Sequence, residues 1–149
     1  MSTTLTPYLT FDGTTRQAFE FYEKVLDARI KTMMSYDDIP AMDSSDTGCG
    51  GSSVPSGEGI MHACLELPGG AMLMAGDTPP GMPGERISGV RMALQFDDNK
   101  QAGDLFNALS QDGHITMPLA STFWAEIFGM VTDRYGVSWA INGKANEFE

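Results

Sequence analysis

Phe123-Trp124-Ala125-Glu126-Ile127-Phe128-Gly129-Met130-Val131-Thr132-Asp133-Arg134-Tyr135-Gly136-Val137-Ser138-Trp139-Ala140-Ile141-Asn142 is the stretch that decides the fold. Two apolar runs flank Asp133-Arg134-Tyr135-Gly136, whose Asp and Gly suit a tight reversal, so the stretch predicts a β-hairpin. Alternation puts Trp124, Glu126, Phe128 and Met130 on one face of its first strand. Ala125, Ile127, Gly129 and Val131 fall on the other. In an isolated hairpin such aromatics are more often core than site. This hairpin, however, has a counterpart earlier in the chain.

Residues 60–67 and 71–75 predict that counterpart, a hairpin across Pro68-Gly69-Gly70. Ahead of it, residues 5–11 read as a strand. Asp12-Gly13 turns the chain, and Thr14-x-x-Gln17 resembles a capping box opening a helix. Ala18, Phe21, Tyr22 and Val25 recur in that helix at helical spacing, and residues 28–36 read as a second strand. Pro79-Pro80-Gly81-Met82-Pro83-Gly84 marks a linker, after which the order repeats. Residues 89–96 form a strand, Asp98-Asn99 caps a helix carrying Ala102, Leu105, Phe106 and Leu109, residues 114–119 form a strand, and the opening hairpin follows.

The spacing supports a duplication. Phe11 and Phe96, Phe21 and Phe106, and Ile30 and Ile115 each lie 85 residues apart, whereas Gly70 and Gly136 in the turns lie 66 apart. The difference of 19 is what an insertion at residues 37–59, rich in Asp, Ser and Gly, would cause in the first half alone. The expectation is an α+β chain of two tandem βαβββ modules in one domain: about residues 1–78, a linker at about 79–87, and about 88–149.

Composition narrows the function. The chain has 149 residues, 42% of them apolar, and no apolar run long enough to span a membrane. Twenty acidic against nine basic residues give a net charge of −11, which argues against nucleic-acid and anionic-membrane partners. No export signal is expected, and a cytoplasmic protein is the reading. Cys49 and Cys64 are too few for a disulfide framework and read as reduced thiols.

Three stretches resemble the vicinal-oxygen-chelate superfamily of glyoxalases, extradiol dioxygenases and bleomycin-resistance proteins, and within it the PhnB-like branch. They are Pro7-Tyr8-Leu9-x-Phe11, Phe21-Tyr22-x-x-Val25-Leu26, and Phe123-Trp124 leading to Gly129-x-Val131-x-Asp133-x-x-Gly136-x-x-Trp139. The resemblance implies curved mixed sheets around a bowl-shaped site, helices outside, and a homodimer. It also implies metal-ligand positions near Thr6, Met74, Arg91 and Ala140. Divalent cations bind His, Cys or oxygen donors, chiefly carboxylates, and these four residues supply no imidazole, thiolate or charged oxygen. The expectation is therefore a lost metal site and no cofactor.

What remains in the implied bowl is His62, Glu66, Arg91, Glu126, Ser138 and Asn142 among aromatic and Met side chains. A lone strand His is more often a satisfied core residue than a catalyst. His62, Cys64 and Glu66 alternate on one strand face, but neighbours there lie ~6.6–7 Å apart, so only two reach one ion comfortably. Glu126 reads either as an ion-pair partner of Arg91 or as a carboxylate desolvated between Trp124 and Phe128. Two functions stay open. One is a metal-free binder of a small organic molecule, with Tyr8, Met74, Arg91, Trp124, Phe128 and Asn142 as ligand-binding residues. The other is an enzyme on a small oxygenated substrate, with Glu126 or His62 as acid–base and Arg91 holding an anionic group. A methyltransferase lacks support, because no Gly-rich strand-to-helix turn is present.

Overall fold

Local chemistry sets the elements one by one. The computed structural model describes residues 2–36, 59–79 and 81–147. Residues 37–58 of the expected insertion, Cys49 among them, lie outside that set. The first unit, Met1–Glu85, runs β1 (Tyr8–Phe11), α1 (Thr15–Val25), β2 (Arg29–Ser35), β3 (Ile60–Glu66) and β4 (Met72–Asp77). The second, Arg86–Glu149, runs β5 (Arg91–Gln95), α2 (Asn99–Ser110), β6 (His114–Ala120), β7 (Phe128–Thr132) and β8 (Ser138–Asn142). Each is a βαβββ module, and the protein is α+β.

Both modules build the same four-stranded sheet, ordered β1-β4-β3-β2 and β5-β8-β7-β6, with the first strand parallel to the fourth. The two sequence offsets hold in the strand register. Tyr8 pairs Met74 and Ala93 pairs Ala140; Arg29 pairs Glu66 and His114 pairs Thr132; Leu65 pairs Leu73 and Val131 pairs Trp139. Even a bulge repeats, at Lys31 between Ile30 and Thr32 and at Thr116 between Ile115 and Met117. Beyond it the modules diverge. The next extra residue falls on β3 at Met61 in one and on β6 in the other. Ile60 is consequently buried while Glu126, 66 positions on, is exposed. Glu126 therefore does not occupy the environment that its 66-residue counterpart has in the first module.

The helices break the 85-residue offset. α1 buries Thr15, Ala18, Phe19 and Tyr22, and α2 buries Ala102, Leu105, Phe106 and Leu109. Each pair is 87 apart (102 − 15, 105 − 18, 106 − 19, 109 − 22). Phe19, not Phe21, fills the place of Phe106. Two apolar stripes overlap on α1, and packing selects the one with Phe19 at 0% exposure. Burying one such side chain contributes about 1.5–3 kcal/mol. Opposite α2, Gly129 is required by close approach, since a Cβ there would stand 2.7 Å from Phe106 Cε2 and 3.1 Å from the Met117 carbonyl oxygen.

Capping differs from the sequence reading. Thr14 is the N-cap of α1 but makes no side-chain cap bond. Asp77, at the end of β4, does that work: its Oδ1 accepts from the Thr15 N–H at 3.0 Å and the Thr15 hydroxyl at 2.8 Å. Its Oδ2 accepts the Ile60 N–H at 2.7 Å. α2 is capped locally, by Asp98 accepting from the Lys100 N–H at 2.8 Å.

The opening hairpin folds as expected at its turn. Asp133 is 3% exposed, and its Oδ1 accepts the N–H groups of Tyr135 (2.9 Å) and Val137 (3.1 Å). Its Oδ2 accepts the Trp139 indole N–H at 2.8 Å. The spacing Asp133-x-x-Gly136-x-x-Trp139 is thus one turn device, with Gly136 at φ +89° supplying the left-handed step. The strand ahead of it is shorter than expected. β7 begins at Phe128, and residues 121–127 form an irregular segment joined to the chain beyond β8 by an isolated bridge between Ala125 and Ala145.

Candidate functional site

In each unit the helix covers one sheet face, and alternation sets the candidate residues on the other. In the first unit, Tyr8, Met74 and Cys64 are successive partners across β1, β4 and β3. The Tyr8 ring stacks on the His62 imidazole at 5.9 Å between centroids and 21° between planes. Its hydroxyl donates to the Met61 carbonyl at 3.2 Å. That reach depends on Gly76, where a Cβ would stand 2.8 Å from Tyr8 Oη and 2.6 Å from Met61 O. Glu66 instead engages Lys31 Nζ at 3.0 Å. The hydrogen bond and charge of Lys31 hold its carboxyl below the usual carboxylate range. Cys64 is buried at 6% exposure. Among the described residues, no three of His, Cys, Asp or Glu stand together so as to hold a metal ion.

In the second unit three register rows cross the open face of β5, β8 and β7. Gln95, Asn142 and Phe128 form the first, Ala93, Ala140 and Met130 the second, and Arg91, Ser138 and Thr132 the third. The residues between them, Val131, Trp139 and Ile141, are buried. In the third row the Ser138 and Thr132 hydroxyls are 3.1 Å apart and hydrogen-bonded.

Trp124 belongs to the first row without being on a strand. Its segment is tied to the chain beyond β8: Glu126 N–H to Lys144 O at 2.8 Å, Gly143 N–H to Ile127 O at 2.9 Å, and Asn146 N–H to Trp124 O at 2.9 Å. The Trp124 indole N–H donates to Asn142 Oδ1 at 3.0 Å. Its ring meets Phe128 edge-on, at 5.1 Å and 70°. Phe123 packs against it at 4.8 Å and is itself 76% exposed.

Glu126 departs from both readings offered for it. It is exposed rather than desolvated, and its Oε2 accepts from Asn99 Nδ2 rather than meeting Arg91. Asn99 Oδ1 also accepts the Lys144 N–H at 2.7 Å, so the first turn of α2 fastens this segment. Sequence reasoning missed Asn99, Gly76 and Gln95. Only Gln95 had a local signal, its period-two spacing from Arg91 and Ala93.

The donor chemistry can be tested against a divalent cation. The open-face residues on β1 and β4 are Tyr8, Thr10, Met72, Met74 and Gly76, with Thr6 just ahead. On β5 and β8 they are Arg91, Ala93, Gln95, Ser138, Ala140 and Asn142. None in either unit is His, Cys, Asp or Glu, and the second unit's group includes Arg91. Neither group, taken within its own unit, fits a catalytic divalent cation.

A sequence model of the Glyoxalase/Bleomycin resistance protein/Dioxygenase superfamily matches residues 4–141. The chain belongs to this superfamily. Among relatives of the glyoxalase/bleomycin-resistance chain, Protein YjdN of Escherichia coli (strain K12) is 33% identical over 140 residues, covering 93% of each chain. The crystal structure of protein PA1353 from Pseudomonas aeruginosa superposes with a TM-score of 0.81 at 38% identity, over 96% of this chain and 98% of that one. A Bacillus cereus PhnB protein, named as a putative 3-demethylubiquinone-9 3-methyltransferase, gives 0.71 at 26% identity, over 95% and 99%. The PhnB-like resemblance seen in the motifs thus extends over 95% of the chain. No helix among the described residues is long and apolar enough to cross a membrane.

Proposed function

We propose that the protein is a metal-free small-molecule binder that holds an organic ligand against the aromatic and Met-bearing open face of the second unit's sheet. The Trp124–Phe128–Asn142 corner carries the reading. An edge-on aromatic pair, fixed by an indole–amide hydrogen bond, offers an apolar wall that needs little ordering on binding. The carboxylate-free donor set on β1, β4, β5 and β8 supports binding without a cation. The test is elemental analysis of purified protein combined with a ligand-induced melting screen. Aromatic compounds are expected to raise Tm by mass action with no stoichiometric metal present. A stoichiometric divalent metal whose removal by EDTA abolishes binding would overturn the proposal.

A second reading, acid–base catalysis on a small oxygenated substrate, is favoured by one observation. His62 is half-buried beside a phenol already oriented by Met61. If His62 or Glu126 is the base, His62→Gln or Glu126→Gln lowers turnover ~10²–10⁴-fold while EDTA leaves it unchanged.

We further propose a homodimer working in the cytoplasm. The free, buried Cys64 thiol suits a reducing compartment. β6 ends its sheet with Ile115 and Met117 44% and 42% exposed, which suits a protein partner.

A further inference from the structure

We infer that the open face of β5, β8 and β7 takes an aromatic ligand bearing one anionic group, laid along β8 with its rings at Trp124 and Phe128 and its anion toward Arg91. The inference rests on the small-molecule-binding reading and names the ligand class.

The three rows grade from aromatic to cationic. At one end, Trp124 has spent its only polar hydrogen on Asn142, so it presents a π-face and no donor. That end selects ring stacking rather than hydrogen bonding. In the middle, Ala93 and Ala140 pair across the strands, giving a low floor that Met130 can adjust to fit. At the other end Arg91 is exposed and has no ion-pair partner among the described residues. Beside it the linked Ser138 and Thr132 hydroxyls add neutral hydrogen-bonding capacity.

The charge distribution makes Arg91 informative. The chain has 20 acidic and nine basic residues, so a lone cation on one sheet face stands out against its net charge. The nine open-face residues of β5, β8 and β7 include no carboxylate, and Arg91 is their one charged member. A guanidinium on an otherwise neutral face is matched by an anion brought from outside, and its planar fork binds a carboxylate in two-point fashion. From Asn142 to Ser138 the face runs roughly 13 Å at about 3.3 Å per residue, a span for two linked rings with a terminal anion.

Isothermal titration at low and moderate salt tests this with biphenyl-4-carboxylate, the neutral biphenyl-4-carboxamide and biphenyl-4-ylmethylammonium. The carboxylate is expected to bind about ten-fold or more tighter than either analogue, with an advantage that shrinks as salt rises. Arg91→Gln should erase that advantage and leave the carboxamide unaffected, and Arg91→Lys should restore part of it. Trp124→Ala should weaken carboxylate and carboxamide alike. Equal binding of the three probes, a preference for the ammonium, or an Arg91→Gln variant that keeps the carboxylate preference would overturn the ligand class while leaving small-molecule binding intact. Absence of binding by all three would overturn both. Affinity falling with protein concentration, in step with self-association, would show the face to be covered by a second copy and would also overturn the inference.

Discussion

Asp77 Oδ1 lies 2.8 Å from the Thr15 hydroxyl, joining the end of β4 to the first turn of α1 across 62 residues of chain. The same carboxylate holds the Ile60 N–H, at the start of β3. Asp77→Ala leaves buried Thr15 and Ile60 donors without a partner and should cost about 3 kcal/mol. Asp77→Asn, which keeps one acceptor, should cost less. Urea unfolding of the two variants measures both, and an Asp77→Ala loss below ~0.5 kcal/mol would contradict the account.

Tyr36 donates its hydroxyl to the Asp77 carbonyl at 3.2 Å. Burial, with the Asp77 carboxylate and Tyr8 nearby, pushes this phenol above its ordinary 10.0. Below pH 10 both folded and unfolded forms are protonated, and the contribution is fully present. As pH rises past 10.0 the unfolded phenol ionises first, so stability declines until the folded phenol ionises too. Tyr36→Phe should flatten the decline in that window relative to wild type. Denaturant midpoints measured from pH 8 to 11 give the comparison.

Gly76→Ala drives a methyl against the Met61 carbonyl and displaces the Tyr8 hydroxyl. An overpacked backbone contact of this kind costs about 1–3 kcal/mol. Tyr8→Phe, which removes only one half-exposed hydrogen bond, should cost about 0.5–1 kcal/mol. Thermal melts that rank Tyr8→Phe as the more damaging would refute the role assigned to Gly76.

In solution the protein should sediment at twice its 16.1 kDa chain mass at micromolar concentration. Met117→Lys, placed on the outer strand β6, should move the equilibrium toward monomer. A single species at the monomer mass would remove the dimer from the proposal.

The fold was legible because turn chemistry and strand spacing are local. Asp133, Gly136, Gly69 and Gly70 announce both hairpins, and the offsets between them survive in every shared strand pairing up to the first bulge. The helix face was not legible. Ala18, Phe19, Phe21 and Tyr22 crowd two overlapping stripes onto α1, and only packing against the sheet chooses between them. The short start of β7 was hidden for another reason. Residues 122–127 carry strand-like alternation, but the backbone partners of Trp124, Glu126 and Ile127 lie in residues 143–146, which have none. The site divides the same way. Arg91, Phe128 and Asn142 share a face by simple alternation, whereas the Asn99 contact of Glu126 joins elements 27 residues apart.

The parallel seating of the first strand beside the fourth has a mechanical side. Tension applied between the start of β1 and the end of β4 loads the pairings from Tyr8–Met74 to Phe11–Asp77 together, in shear, instead of peeling them one after another. β5 and β8 repeat the arrangement from Arg91–Ser138 to Gln95–Asn142. Each module is therefore fastened at its own ends by a clamp that resists stretching. Sliding β1 past β4, or β5 past β8, displaces a strand that carries open-face residues, Tyr8 in one module and Arg91 in the other.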